Sequence, residues 1–526
     1  MLFSSVTPYA FLALSVLYLA YKYIIYPSLL SPLSKIPAAH PIAPFSDLWI
    51  LWKRYKYEEL SAIHDAHQRL GPIVRLGPKE VSVNCIEGGI RTVYSGGFEK
   101  GTWYENVFTN YGFLNMFTMK GSKEHSAQKR TVSNIYAKST LQASPAVAQS
   151  TGIMVCQRML NYLSSAVASN RGVDIWQLMT AVTMDNVTSE LFGMSIGTNF
   201  IERPDECRHF LDLYHSRHAY IFHAQELPGL TNALKAIGIR LVPEFVESAN
   251  AELEAQCLDR CNRSLNLLLT EDREKIEPIN YPNVYAQLTK SLGTQQANSK
   301  LHVSQEQQLA IGSELLDHLA AGFDTSTITL TYLFWELSQR PSLQESLRSE
   351  LRSLDPPIKE ISDPTKIPEL NHKAIDSLEL LHAVVMETLR LHPAIPGPQP
   401  RVTPAGGCTL GSFPNIPEGV RVSAQAYSLH RNAEVFPEPE SWKPERWMNT
   451  SSEKSKEMGR WFWAFGSGGR MCVGSNLAML QMKAIVAAIY SNFSTSIVDD
   501  EGIEQEMAYT ARPKRQRLIL EFVPVD

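Results

Sequence analysis

The sequence is poor in the features that mark a disulfide or metal framework. Seven cysteines are scattered over 526 residues, at Cys85, Cys156, Cys207, Cys257, Cys261, Cys408 and Cys472. There is no Cys-x-x-Cys, no repeated spacing, and the count is odd. That excludes a regular disulfide scaffold and suits a reducing compartment. Cys257 and Cys261 would share a helix face, but no second pair completes a zinc site. No His-Glu-x-x-His occurs. His209, His215, His218 and His223 crowd together without a carboxylate in metal-site spacing, and read as surface or lining residues of a roof helix. The net charge is only −5, so no basic field argues for nucleic acid. No flavin or iron–sulfur motif is present, and no second domain is expected.

One absence concerns the N-terminus. No Lys or Arg precedes the apolar run from Thr7 to Tyr26, and bulky Tyr, Ile and Leu fill its end. A cleaved signal peptide wants a positive start and a small-residue cleavage site, so an uncleaved membrane anchor over 1–26 is favoured. Lys22 near its end, and Lys35, Lys53 and Arg54 after it, place the remainder on the cytosolic side. The Asn-x-Ser/Thr patterns at Asn186, Asn262, Asn449 and Asn492 would then stay unmodified. Residues 27–44 contain Pro27, Pro32, Pro37, Pro41 and Pro44. They read as a stiff, extended hinge ahead of a single catalytic domain at 45–526.

What is present is one cysteine in an unusual setting, Phe465-Gly466-Ser467-Gly468-Gly469-Arg470-Met471-Cys472-Val473-Gly474. Glycines allow a tight loop and close approach of a flat ligand. The apolar run Asn476–Ile489 reads as a helix, so Cys472 lies at or just before a helix N-terminus, where a thiolate is favoured. Arg470 can reach an anion beside a bound metal, and Phe465 can pack on a plane. An inert buried cysteine is the usual reading of an isolated Cys. A lone thiolate with an arginine and an aromatic suggests instead the proximal side of a haem.

A second stretch lies mid-helix. Ser304 and Gln307 form a capping-box pattern, an apolar pattern runs to Leu337, and Pro341 stops it. In its middle stands Ala320-Ala321-Gly322-Phe323-Asp324-Thr325-Ser326, where a glycine, an acid and an alcohol interrupt an apolar helix. A kink against a neighbour, with Asp324 at the surface, is the bland account. Side-chain bonding by Thr325 to the carbonyl one turn back is also open.

Together these stretches resemble the cytochrome P450 superfamily, the haem-thiolate monooxygenases. The loop fills the pattern Phe-x-x-Gly-x-Arg-x-Cys-x-Gly, and the helix fills Ala/Gly-Gly-x-Asp/Glu-Thr-Thr/Ser. The resemblance implies a mainly α fold with a smaller β region. It implies haem b with Cys472 as axial ligand of iron, Phe465 and Gly466 in the haem-binding loop, and Arg470 at a propionate. Arg401 is expected as a second propionate-binding base, and His125 and Lys129 as further ones on a helix, replacing the usual Trp and Arg. Asp324 and Thr325 would manage protons over a small-residue groove that admits dioxygen. Glu387-Thr388-Leu389-Arg390 and Lys443-Pro444-Glu445-Arg446-Trp447 match the family's buried charge network of Glu387, Arg390 and Arg446.

The rest is read in outline. A helix over Tyr57–Leu70 precedes strands at 71–78 and 80–85. The aromatic segment 96–120 reads as a loop over an apolar ligand, residues 140–300 as mostly helical, Leu227–Leu234 as a turn and Leu288–Ser299 as a loop. A helix is expected at Ser377–Leu391, sheet at 400–403 and Val420–Tyr427, and a pocket-reaching turn at Ala508-Tyr509-Thr510. By resemblance, electrons come from an NADPH-dependent flavoprotein reductase of the endoplasmic reticulum, with cytochrome b5 as an accessory donor. The substrate is a lipophilic small molecule, and the sequence resembles filamentous-fungal members that tailor secondary metabolites. A member that rearranges its substrate without external electrons is the first alternative, a non-enzymatic haem protein the second.

Overall fold

The computed structural model describes residues 3–292, 294–295 and 301–525. At the N-terminus, α1 (Phe3–Ala20) continues without a break as wider helical turns, Tyr21–Leu30. The stretch Tyr9–Leu30 is long and apolar enough to cross a membrane, and none of it is buried against the protein. The helix therefore runs four residues past the expected end of the anchor, and Pro27 lies inside it. Proline lacks an N–H and clashes with the carbonyl four residues back, which a wider turn relieves. The Arg75 guanidinium donates to the Pro27 carbonyl at 2.7 Å and ties this end to the body. Residues 32–35 form a tight 3₁₀ turn, so the start of the segment expected to be extended is coiled instead.

The body is mainly helical, with helix over 58% of the chain, and small sheets lie at its edges. After α2 (Glu59–Leu70), strands β1 (Ile73–Gly77) and β2 (Glu80–Val83) form an antiparallel hairpin. Helix α3 (Ser122–Ser133) follows the aromatic segment. Strand β3 (Val173–Asp174) leads into α4 (Ile175–Phe192), which is buried almost throughout. The roof comprises α5 (Pro204–Ser216), α6 (Ile221–Glu226), α7 (Pro228–Ala236) and α8 (Glu244–Thr270). Leu227–Leu234 is thus mostly helix rather than a turn. Pro228 sits at the first helical position, where its fixed φ is favourable and its missing N–H costs nothing. The helix Asn283–Leu292 likewise covers the start of the stretch expected as loop; Gly293 and residues 296–299 lie outside the described residues.

The central helix is α9 (Gln305–Ser338), 34 residues long. Ser304 Oγ accepts from the Gln307 N–H at 3.2 Å, and Gln307 Oε1 accepts from the Ser304 N–H at 2.8 Å, completing the capping box. It packs along α4, where Thr183 and Thr327 hydroxyls meet at 2.9 Å. A Cβ on Gly322 would lie 2.5 Å from Val187 Cγ2 of α4. That glycine therefore permits close helix contact on the α4 side, and it stays half-buried beside the exposed Ala321.

Helix α10 (Glu379–Leu391) precedes β4 (Arg401–Val402) and β5 (Arg421–Ser423). These complete a sheet ordered β1-β2-β5-β4, with Glu80 opposite Arg421 and Arg401 opposite Val422. Sheet ends at Ser423, and a helical turn, Ala426–Leu429, replaces the rest of the expected strand. Helix α11 (Ser475–Asn492) is buried against α9 and α10. Strands β6 (Phe493–Asp499) and β7 (Ile519–Pro524) join β3 in a second sheet. The main core gathers Val182, Leu191, Ile328, Leu333, Val385 and Ile485 from α4, α9, α10 and α11, and the cysteine loop is set on its edge.

Candidate functional site

The loop 465–474 is held by its backbone and by two neighbours. Gly466 and Gly468 adopt φ of 69° and 70°, a region that favours glycine. At Gly468 a Cβ would also lie 2.3 Å from the Tyr94 carbonyl oxygen. The Cys472 N–H donates to the Phe465 carbonyl at 3.0 Å, closing the turn. Trp463 Nε1 donates to Ser467 Oγ at 2.8 Å. Phe465 is half-buried and borders a cavity of about 250 Å³ with Phe462, Met386 and Met479.

Cys472 stands three residues before α11 and has exposed surface although protein surrounds it. Such a side chain lines an interior space. Burial pushes its thiol up, while the N–H groups of Gly474 and Ser475 and the charge of Lys129 pull it down. Those N–H groups begin α11 and stabilise a thiolate. Among the described residues no group of three His, Cys, Asp or Glu side chains is placed to hold a metal ion. An iron at Cys472 would therefore take its other ligands from a macrocycle.

A cluster of basic groups borders the loop. Arg470 donates to the carbonyls of Met119 at 2.8 Å and Lys120 at 2.5 Å. Arg401 is buried at the start of β4, donating to the Tyr104 hydroxyl at 2.9 Å and lying 5.0 Å from the Tyr94 ring centre. Lys100 is buried too, 4.1 Å and 4.2 Å from the ring centres of Tyr104 and Phe117. His125 on α3 is buried, and its imidazole is pushed down to about 3, by burial first and then by Arg470, Lys100, Lys129 and Arg401. Lys129, one turn on, donates to the carbonyls of Gly469 at 3.1 Å and Met471 at 2.7 Å. None of these five has a carboxylate within ion-pair distance among the described residues. Buried like charges of this kind are costly unless an anion joins them. The two carboxylates of a haem fit that requirement, as the lone cysteine fits its iron.

The structure thus brings Arg401, Arg470, His125 and Lys129 together as expected from sequence, but gives Lys129 a grip on the loop backbone. It adds Lys100 and Tyr104, which sequence reasoning missed. A lysine opening a glycine- and aromatic-rich segment was the available signal.

On α9, Asp324 is 3% exposed and ion-paired with Arg512, whose Nε donates at 3.0 Å. The Tyr214 hydroxyl of α5 donates to the same carboxylate at 3.3 Å, and His218 lies 3.0 Å from Arg512. Asp324 is therefore not at the surface, and His218, one of the four roof histidines, borders its environment. Arg512 was missed, since nothing in the spacing links it to α9. Thr325 Oγ donates to the Ala321 carbonyl at 2.7 Å. Ala321 is exposed midway along this otherwise buried helix, so its side faces an interior space.

Beneath the loop lies the network of Glu387, Arg390 and Arg446. Glu387 and Arg390 are 0% exposed and joined by two hydrogen bonds of 2.8 and 2.9 Å. Arg446 Nε, the Lys443 N–H and Trp447 Nε1 also donate to Glu387, at 2.9, 2.8 and 2.9 Å. Buried His430 extends the network. Its Nε2 accepts from the Trp463 N–H at 2.7 Å, so Nδ1 carries the proton and donates to the Arg390 carbonyl at 2.8 Å. Burial holds this imidazole down to about 3, in the neutral form that such bonding needs. The sequence offered no sign of His430.

Known proteins agree with this geometry. The family profile described as Cytochrome P450 matches residues 42–519. Cytochrome P450 monooxygenase avaI of Aspergillus versicolor is 30% identical over 79% of this chain and 94% of its own length. Cytochrome P450 monooxygenase orf2 of Aspergillus niger is 26% identical over 97% of each chain. Cytochrome P450 monooxygenase tazI of Aspergillus terreus is 26% identical over 92% of this chain and 94% of its own length. With a haem-thiolate loop, a basic cluster beside it and a profile match across nearly the whole chain, the protein belongs to the cytochrome P450 family and is an oxygen-incorporating oxidoreductase.

Proposed function

We propose that the protein is a membrane-anchored haem-thiolate monooxygenase that inserts one oxygen atom into a lipophilic small molecule, as a tailoring step of fungal secondary metabolism. The observation that carries this reading is Cys472, an interior-facing thiol at the start of α11 beside basic groups that lack a counter-ion. When bound, haem supplies reductive activation of dioxygen and transfer of one oxygen atom to a C–H bond or double bond.

The chain's own residues divide the work. Cys472 would hold the haem iron through its thiolate, with the α11 amides stabilising the negative charge. Arg401, Arg470 and Lys100 neutralise the propionates. His125 would donate a hydrogen bond to one of them, and Lys129 fixes the loop carbonyls. Phe465 and Gly466 shape the loop against the ring. Asp324 would hand on protons, its carboxylate held in place by Arg512 and Tyr214. Thr325 would exchange its bond to the Ala321 carbonyl for one to the oxygen substrate. Glu387, Arg390 and Arg446 lock the loop and take no part in the chemistry.

The division at 1–26, 27–44 and 45–526 is retained, with the helical anchor reaching Leu30. The proposed setting is the endoplasmic reticulum membrane, with the body in the cytosol, and the apolar helix Tyr9–Leu30 supports an anchor. There an NADPH-dependent flavoprotein reductase supplies electrons, with cytochrome b5 as accessory. The test is Cys472→Ala. It should abolish the thiolate-type carbon monoxide spectrum and all NADPH-dependent turnover with the reductase, and a variant that keeps that spectrum would refute the assignment.

A further inference from the structure

The cavity of about 250 Å³ beside Phe465 is walled by α10, α11, the helix Lys138–Ala143 and the start of the cysteine loop. Cys472, Thr325 and the basic groups around Arg401 do not line it. It is therefore separate from the interior space that the thiol and the basic cluster share. Close-packed interiors leave few voids larger than a water molecule. Ligand sites are concave and mostly apolar, with a few polar groups that fix orientation.

The apolar part of the wall suits an aromatic guest. The rings of Phe462 and Phe465 and the thioethers of Met386 and Met479 line it. Rings and thioethers both make favourable contacts with a further ring. A dry cavity of about 150 Å³ holds one benzene, so a space of this size suits two fused rings.

The polar part of the wall carries an excess of positive charge. Asp376, at the end of the short helix His372–Asp376, lines the cavity with Lys138. Its Oδ2 pairs with Lys138 at 2.5 Å and accepts from Gln142 at 3.2 Å. Its Oδ1 accepts from Lys483 at 2.7 Å, and its backbone carbonyl accepts from the same ammonium at 3.0 Å. Lys483 is buried and has no other carboxylate partner among the described residues. A buried charge depends on its partner, so Asp376 is committed to Lys483. Two ammonium groups thus share one carboxylate. Lys138 is exposed, and its ammonium keeps donors for a further anion.

We propose that this cavity is a second ligand site, which takes an aromatic carboxylate of about bicyclic size. The rings lie among Phe462, Phe465, Met386 and Met479, and the carboxylate meets Lys138. Phe465 walls the site with its ring and closes the cysteine turn with its carbonyl. Ser475, which begins α11, lines it as well. An occupant therefore bears on the turn that sets the thiolate, from outside the space where substrate is oxidised.

The test is equilibrium dialysis of the holoenzyme in detergent against naphthoate and its neutral analogue naphthylmethanol. Phenylimidazole at saturation fills the haem pocket throughout. Naphthoate should still bind saturably, at one site per protein. In Lys138→Ala its dissociation constant should rise about tenfold, equivalent to about 1.4 kcal/mol, while that of naphthylmethanol stays the same. Met479→Trp, which fills the cavity, should abolish saturable binding of both probes. Each variant should keep the thiolate-type carbon monoxide spectrum. Lys138 is exposed, so its variant carries the test if Met479→Trp does not fold. No saturable naphthoate binding once phenylimidazole is bound overturns the proposal. Equal naphthoate affinity in wild type and Lys138→Ala overturns it too.

Discussion

Two buried charge systems flank the cysteine loop, and they are built on opposite plans. Beneath it, Glu387 meets Arg390 and Arg446 and receives two further N–H donors. Every donor of Arg390 is used, since its two terminal nitrogens also bind the carbonyls of His430, Pro439 and Ser441. Beside the loop, Lys100, Arg401, Arg470, Lys129 and His125 gather with backbone carbonyls and aromatic faces, with no carboxylate in ion-pair contact among the described residues. A closed network holds structure together. An open one of a single sign is completed by a ligand of the opposite sign. This difference separates residues that shape the loop from residues that meet the cofactor.

The comparison breaks most severely at Glu387. Glu387→Gln keeps the shape but leaves two buried guanidinium groups facing a neutral amide. Removing one partner of a buried pair costs about 3 to 5 kcal/mol. The denaturation midpoint should fall accordingly, and haem should be lost on gel filtration. A variant of wild-type stability would show that the carbonyls around Arg390 and Arg446 suffice.

A second closed system joins the roof to the sheet. Glu226 at the end of α6 accepts from Arg421 at 2.9 Å, Arg54 at 3.1 Å and Trp103 Nε1 at 2.7 Å. Burial raises its carboxyl, but Arg421 and Arg54 outweigh this and hold it down to about 2, against 4.5 when unfolded. A depressed carboxyl stabilises the fold fully above the unfolded value, and the benefit is lost as pH falls from about 4.5 toward about 2. Linkage sets the size at about 3 kcal/mol. Glu226→Gln should therefore lower stability at neutral pH and flatten the acid limb of the stability curve. An acid limb as steep as wild type would assign that limb to other carboxylates.

What the sequence made legible follows the range of each interaction. The capping box at Ser304, the turn glycines at Gly466 and Gly468, and the helix after Cys472 are local, and were read directly. The Glu387–Arg390 pair is also local, three residues apart on α10, but its meaning depended on Arg446 much further along. Arg512, Tyr104, His430 and Lys100 were missed because each meets its partner across a long stretch of chain, and no period or spacing records that meeting. Pro228 and Pro27 were misread for a different reason. A proline was taken as a stop, whereas position within or at the start of a helix decides what it does. The contact of Gly322 with Val187 was not legible either, since Val187 lies on another helix.

The sharpest separation of the two plans comes from Arg401. In a closed network, deleting a charge destabilises the protein whether or not a ligand is present. In the open cluster the apoprotein bears like charges that repel one another, and deleting one relieves them. Arg401→Gln should leave the apoprotein as stable as wild type or more stable, by about 1 kcal/mol or less, since one member of a screened like-charge group is removed. The holoenzyme should lose haem faster to apomyoglobin, because one propionate has lost its partner. Thermal melts of apo and holo forms would move in opposite directions. If both fall together, Arg401 belongs with Glu387 as part of the framework, its bond to Tyr104 being what matters. If apo stability is kept and haem transfer quickens, the cluster is held in place for its ligand.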